Sequence, residues 1–229
     1  MRLPSAAAFA GTRGVMLIDL HNHTRALSWD SDLDVDDLVE RAKKAGLDGI
    51  CLTEHDYFWD HDTVRQIAKR HDYLVIPGIE VNTEDGHVLC FGLEKYVYGM
   101  HRFAELAEHV GQAGGAMVAA HPYRRRMPWH PEKESELEEA LARAARNTIW
   151  DACQGVELIN GRGTPSENEF SARLGEMLGR PATAGSDAHR AADIGVCATE
   201  FLGRIEGLDD LIEALRAGRC RAASLRGGA

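Results

Sequence analysis

The stretch Met16-Leu17-Ile18-Asp19-Leu20-His21-Asn22-His23-Thr24 begins as an apolar strand candidate and closes on two histidines spaced by one residue. Strand side chains alternate faces, so His21 and His23 project to the same side and can share one ion. His-x-His alone is a weak signal, since surface histidines produce it by chance. Its place at the end of an apolar run gives it meaning.

Outward from this stretch the arrangement recurs. Strand candidates fall at residues 16–20, 49–53, 73–80, 87–92, 116–120, 155–159 and 181–184. Amphipathic stretches at 35–45, 61–70, 100–113, 134–146, 166–178 and 208–217 lie between or after them. The clearest helix has Asp34 as N-cap, Asp36 and Asp37 in its first turn, and Gly46 just beyond its end. Such alternation predicts a mainly parallel α/β architecture. One join breaks the rule: Glu80 and His87 are separated only by Val-Asn-Thr-Glu-Asp-Gly, too short for a helical crossover and suited to a hairpin. The expected fold is therefore a smaller or distorted barrel and not a regular eightfold one.

Nearly every strand candidate ends or begins with a metal-capable side chain. Thr53-Glu54-His55-Asp56 closes the second, Gly78-Ile79-Glu80 the third, and His87 opens the fourth. Ala119-Ala120-His121-Pro122 and Gly185-Ser186-Asp187-Ala188-His189 follow the fifth and the last. In a parallel α/β sheet or barrel such positions converge at the carboxyl ends of the strands, where binding clefts form. Mixed imidazole and carboxylate ligands suit Zn, Mn or Fe. The eight candidates His21, His23, His55, Glu80, His87, His121, Asp187 and His189 exceed what one tetrahedral ion needs, which points to two or three ions bridged by a carboxylate such as Glu80.

The totals fit one globular unit. The 229 residues are 44% hydrophobic, 27% charged and 7% aromatic. No apolar run approaches the roughly 20 residues that span a bilayer. Thirty-six acidic against 26 basic residues, a formal charge of −10, argue against a general nucleic-acid binder. Five cysteines without a Cys-x-x-Cys pair read as buried thiols, which fits a reducing cytoplasm. Residues 1–15 read as a flexible extension, leaving 16–229 as the functional domain.

As a set, Asp-Leu-His21-Asn-His23-Thr, Thr-Glu-His55-Asp, Pro-Gly-Ile-Glu80, Gly-His87-Val-Leu, Ala-His121-Pro and Gly-Ser-Asp187-Ala-His189 resemble the PHP (polymerase and histidinol phosphatase) family. The resemblance implies a distorted seven-stranded (β/α) barrel holding up to three divalent metals. It puts His21, His23, Glu80 and Asp187 around one ion, Glu80 with His87 and His121 around a second, and His55 with His189 around a third. It also implies a further ligand from the loop after the first motif; counting back from the helix near Val35 gives Asp30, with Asp32 as rival, because the family's Ser-Asp-Gly is absent. Glu54 stands where the family often has Asp, a change expected to matter little.

The implied reaction is phosphate ester hydrolysis on a small phosphomonoester, with a metal-bridging hydroxide as nucleophile. Arginine forks suit phosphate recognition. Arg162, in Asn160-Gly161-Arg162-Gly163, and one of Arg124-Arg125-Arg126 are the candidates, the other two of that run reading as a solvated loop. Asn160 either contacts substrate or caps its turn. Asp19 and Asp56 flank ligands and are candidates to hydrogen-bond imidazole N–H groups. His130, in a Pro- and Trp-bearing loop, is a candidate for a lid. Alternatives are a nuclease-type phosphodiesterase and an inactive metal-binding module; an amidohydrolase barrel would add a bridging lysine and end in a lone aspartate.

Overall fold

Ten strands and seven α-helices follow one another in the computed structural model, which describes residues 14–225. Residues 1–13 of the expected extension lie outside that range. Val15 belongs to the fold, paired with Leu202 one residue ahead of the expected start.

One five-stranded sheet has the order β10 (Cys220–Ser224), β9 (Cys197–Leu202), β1 (Val15–Asp19), β2 (Gly49–Leu52), β3 (Leu74–Pro77). The other runs β4 (Ile79–Thr83), β5 (Gly86–Phe91), β6 (Ala116–Ala119), β7 (Gly155–Asn160), β8 (Ala182–Gly185). β1–β2–β3 and β6–β7–β8 are parallel, as the alternation predicts. The expected hairpin is present: β4 and β5 pair antiparallel, with Asn82 opposite His87.

The expected ring of seven strands differs in two places. The run at 73–80 divides at Gly78, where a Cβ would meet the Phe91 ring at 2.9 Å and Thr53 Cγ2 at 3.0 Å. β3 thus ends one sheet while β4 opens the next. Beyond the last ligand motif, β9 adds antiparallel to β1 and β10 antiparallel to β9, filling the edge that a simple ring would use for closure. Among the described residues no strand ladder closes a barrel. The sheets are stitched at their ligand-bearing ends instead, by the isolated bridges His55–Glu80 and Asn22–Ala188.

Helices cover the outer faces. α1 (Val35–Lys44) starts where the Asp34 side chain accepts from Asp36 N, and buries Leu38, Val39 and Ala42. With α2 (His61–His71) it packs a core on the first sheet that includes Ile50, Leu52, Val64 and Ile67. α3 (Phe103–Gln112), α4 (Glu134–Ala144), the short α5 (Ile149–Ala152) and α6 (Pro165–Leu178) cover the second sheet over Val81, Val88, Val156 and Phe170. α7 (Leu208–Arg216) joins a third core drawn from both sheets, including Ile18, Leu89, Phe91 and Phe201. Among the described residues no helix is long and apolar enough to cross a membrane.

Candidate metal centre

The ligand candidates are delivered by short segments just past the strands. β1 ends at Asp19 and the chain continues through the fully buried His21, Asn22 and His23. β8 ends at Gly185, and Asp187 and His189 follow on the same side, with Asp187 at φ 52°. His121 follows β6 at φ 25°. Left-handed backbone at a non-glycine costs about 1–3 kcal/mol and persists only where surroundings impose it. Here the His121 N–H donates to Glu157 Oε2 at 2.8 Å. At the other side, Ala188 N donates to His21 O and His23 N to Ala188 O, which locks the two ligand segments together.

Glu80 is the hub. Its Oε1 lies 2.8 Å from His87 Nδ1 and 2.9 Å from His121 Nε2. Its Oε2 lies 2.9 Å from His55 Nδ1 and 3.3 Å from Nε2 of both His21 and His23. Asp187 Oδ1 stands 3.7, 3.5 and 3.4 Å from ring nitrogens of His21, His23 and His189. Asp30 Oδ2 lies 3.1 Å from His189 Nε2 and 3.6 Å from His55 Nε2. Asp32, its rival, meets the site through its backbone N–H, bonded to His189 O. All nine predicted ligand candidates therefore meet in one place. Sets of three with ligand atoms within 4.8 Å of one another are His21–His23–Asp187, His21–Glu80–His121, His55–Glu80–His87 and His23–His55–His189.

The donor set fits divalent metal. His21 Nε2, His23 Nε2, His55 Nδ1, Glu80 Oε2 and Asp187 Oδ1 face the centre, are buried and have no hydrogen bond of good geometry. An unsatisfied buried polar atom costs roughly 1–3 kcal/mol, so five gathered together call for a cation.

Local electrostatics point the same way. Burial opposes charge on His21, yet Glu80, Glu157 and Asp187 outweigh it and hold its pKa well above the usual value. For His55 too, burial is overcome, here by Glu80 and Asp30. In His23 burial wins and takes the pKa down to about 4; it also lowers that of His121. Burial would raise Glu80 and Asp187, but the surrounding imidazoles, His21 first, keep both well below the ordinary carboxylate range.

Around this centre some expected roles change. Asp19 holds no imidazole: it accepts from the backbone N–H groups of His21 and Ser186 and from the Ser186 hydroxyl, and burial pushes its pKa up to about 6. Asp56 binds the backbone and side-chain amides of Asn82, fixing β4. Glu54 matters more than expected. It is fully buried and accepts from Thr24 N at 2.9 Å, Trp59 Nε1 at 2.8 Å and Ser28 Oγ at 2.5 Å, and Ser28 Oγ in turn meets His23 Nδ1 at 3.2 Å.

Arg124 and Arg162 both reach the centre. Arg124 donates to Asp187 Oδ2 at 2.7 Å and lies 3.0 Å from His121 Nε2; Arg162 lies 2.9 Å from His189 Nδ1. Their side chains are 34% and 43% exposed, so each guanidinium bridges site and solvent. Arg126, expected in a solvated loop, instead donates to the carbonyls of Pro122 and Asp85 and lies over the Trp150 ring. His130 pairs with Glu132 and is 54% exposed, away from the ligands' contacts.

Asn160 is buried and its side chain is fully engaged within the protein. Its amide donates to Glu157 and Asp187, while its oxygen accepts from Tyr123 OH and Arg162 N. Glu157 itself escaped the sequence reading. Its signal was an acid inside the apolar run Val156-Glu157-Leu158-Ile159, a position that burial makes costly unless the carboxylate is paired.

A mixed α/β fold that gathers histidines and carboxylates at its strand ends has the organisation of a metal-dependent hydrolase. The chain belongs to the PHP domain family, whose model matches residues 19–152; residues 165–220 match the PHP-associated region. It is 24% identical over 199 residues to a protein of Photobacterium profundum described as a probable phosphatase, covering 78% of this chain and 80% of that one. Among solved structures it is similar to PsfC from Pseudomonas syringae, with TM-score 0.63, 19% identity and coverage of 93% of this chain and 92% of that one. It also resembles a lesion-specific endonuclease from Pyrococcus furiosus, with TM-score 0.55 and 17% identity, covering 91% of this chain and 58% of that one. The protein is thus a PHP-family protein whose site is that of a metal-dependent hydrolase.

Proposed function

We propose that the chain hydrolyses a small phosphate monoester at a centre of two or three divalent ions (Zn, Mn or Fe). The ligands would be His21, His23, Asp30, His55, Glu80, His87, His121, Asp187 and His189. The observation that carries this is the convergence of five buried, unpartnered atoms from His21, His23, His55, Glu80 and Asp187. Glu80, with each oxygen facing several imidazoles, would bridge ions. The two stitched sheets would act as a distorted barrel, its open mouth at the ligand end.

Divalent ions bound here supply Lewis acidity toward the phosphoryl oxygens and a nucleophile at neutral pH. The protein's own part is to orient and to discriminate. Arg124 and Arg162, half-open at the mouth and already drawn toward Asp187, would turn their forks to the remaining phosphoryl oxygens. Asn160 would keep Asp187 and the Arg162 loop in place and not touch substrate. The five buried cysteines, none disulfide-bonded among the described residues, support a reducing, cytoplasmic setting.

The test is hydrolysis by metal-replete protein of a panel of alkyl and aryl monoesters, read by phosphate release, with an aryl diester read by phenol release and a short oligonucleotide read by strand cleavage alongside. Turnover of monoesters well above the diesters is expected. Preference for diesters would replace the reading with a nuclease-type phosphodiesterase, and metal-loaded protein inert on the whole panel would remove catalysis altogether.

A further inference from the structure

We infer that Glu157 is a positioning residue: one buried carboxylate that aims His21 from the first sheet and fixes His121 and, through Asn160, Asp187 on the second. This rests on the metal-centre reading above and extends it to a residue that is itself no ligand candidate.

Glu157 is 1% exposed. Its Oε1 lies 3.0 Å from His21 Nδ1, the ring nitrogen opposite the one that faces Glu80 and Asp187. A carboxylate there holds the proton on Nδ1 and leaves Nε2 bare toward the centre, which is what a metal-binding imidazole requires. Its Oε2 accepts from His121 N at 2.8 Å and from Asn160 Nδ2 at 3.0 Å. The first of these bonds holds the left-handed turn at His121. The second passes on to Asp187, since the same Asn160 amide reaches Asp187 Oδ2 at 3.2 Å.

Two features of the backbone make this hub possible. The β7–β8 register shifts between Glu157 and Ile159. Strand side chains alternate, so residues three apart would face opposite sides; the irregularity brings Asn160 to the side of Glu157. Close approach of the sheets needs Gly185, where a Cβ would sit 2.4 Å from His21 Cβ and 2.7 Å from Glu157 Oε1. The sequence thus leaves out a side chain where the His21–Glu157 contact passes.

The chemistry requires a carboxylate. Three donors converge on two oxygens, and a carboxylate is acceptor-only. In Glu157→Gln the amide NH2 must face either His21 Nδ1–H or the His121 and Asn160 donors, with no change of volume.

The experiment is titration of metal-stripped wild type and Glu157→Gln with Mn2+ and with Zn2+, read by calorimetry, with far-UV circular dichroism and melting of both stripped proteins. The expected result is affinity about 10–100-fold weaker in the variant, the range for outer partners of metal-binding histidines, with the stripped fold retained. Equal affinity in the two proteins, or a loss of stripped-state stability without loss of affinity, overturns the positioning role. Wild type that binds neither ion defeats the metal-centre reading itself, a different outcome. Nitrogen-15 NMR of Zn-loaded wild type tests the role without any variant: His21 protonated at Nδ1 is expected, and protonation at Nε2 overturns it.

Discussion

Histidines cluster with several carboxylates at the strand ends and on the outer face of α1 and α2, and the two clusters differ in what they leave unpaired. On the helices, His71 Nε2 lies 2.8 Å from Asp36 and Nδ1 lies 2.9 Å from Glu40, while Arg70 also binds Asp36. Both ring nitrogens are matched, and the two acids are about half exposed, at 50% and 49%. At the strand ends five atoms that face the centre are buried and unmatched. A cluster of the right residue types is common on surfaces. Burial without partners is expensive, and that distinguishes a site.

The largest effect expected from this contrast concerns Glu80. Glu80→Gln removes the hub charge and should reduce metal content and phosphate release together, by more than the 10–100-fold typical of outer partners. Glu40→Gln, at the surface cluster, should leave both unchanged. Elemental analysis and a phosphate assay on the two variants decide it. Equal behaviour would erase the distinction between the clusters.

Next is metal itself. Because the ligand atoms are unmatched in the folded protein, an ion should add stability: about 2.7 kcal/mol at 100 times its Kd for one site. At roughly 2–4 °C per kcal/mol for a chain of this length, melting should rise by several degrees and fall back with chelator. The gain should shrink on acidification, because imidazole binds metal only when neutral; His21, whose pKa the surrounding carboxylates raise, is the first to resist. A melting temperature indifferent to metal would break the comparison from the other side.

Arg124 sharpens what lies at the mouth of the buried cluster. Its fork bonds Asp187, and under the proposed function it would turn to substrate. Arg124→Ala should lower kcat/KM for phosphomonoesters by about 10–100-fold, from the ~1.5–3 kcal/mol of a hydrogen bond to a charged group. Metal content should stay intact. Loss of metal with Arg124 would show that it serves the ligands and not the substrate.

The sequence carried the ligands better than the frame that holds them. His-x-His at the end of an apolar strand and Asp-x-His at the end of another are short-range signals, set by the period of two. The Glu80–His87 hairpin was legible because six residues cannot hold a crossover helix. The break at Gly78 was not, since it depends on where the hairpin's register sets the Phe91 ring and on Thr53 from β2's end. β10, Cys-Arg-Ala-Ala-Ser, has little intrinsic strand character and owes its form to pairing with β9. Asn160 ends β7, as its place in the sequence suggested, but a local irregularity opposite β8 decides that it turns inward to Glu157. Glu157 was readable only as an anomaly, an acid in an apolar strand, and the two ligand segments it joins lie 136 and 36 residues away.

The smallest expected effect belongs to the surface cluster and fixes its sign. Hydrogen bonds that the His71 ring donates to Asp36 and then Glu40 raise its pKa above the ordinary 6.5. The same contacts lower the acids: Arg70 acts first on Asp36, and His71 first on Glu40. A group whose folded pKa is raised stabilises fully below its unfolded value, and that contribution fades as pH rises through the folded one. His71→Gln should therefore melt slightly below wild type at about pH 5.5 and converge with it by about pH 9. Salt should narrow the gap, because exposed pairs are screened. A gap that widened with rising pH would mean that His71 is held neutral, in which case the surface cluster would share with His23 the dominance of burial over charge.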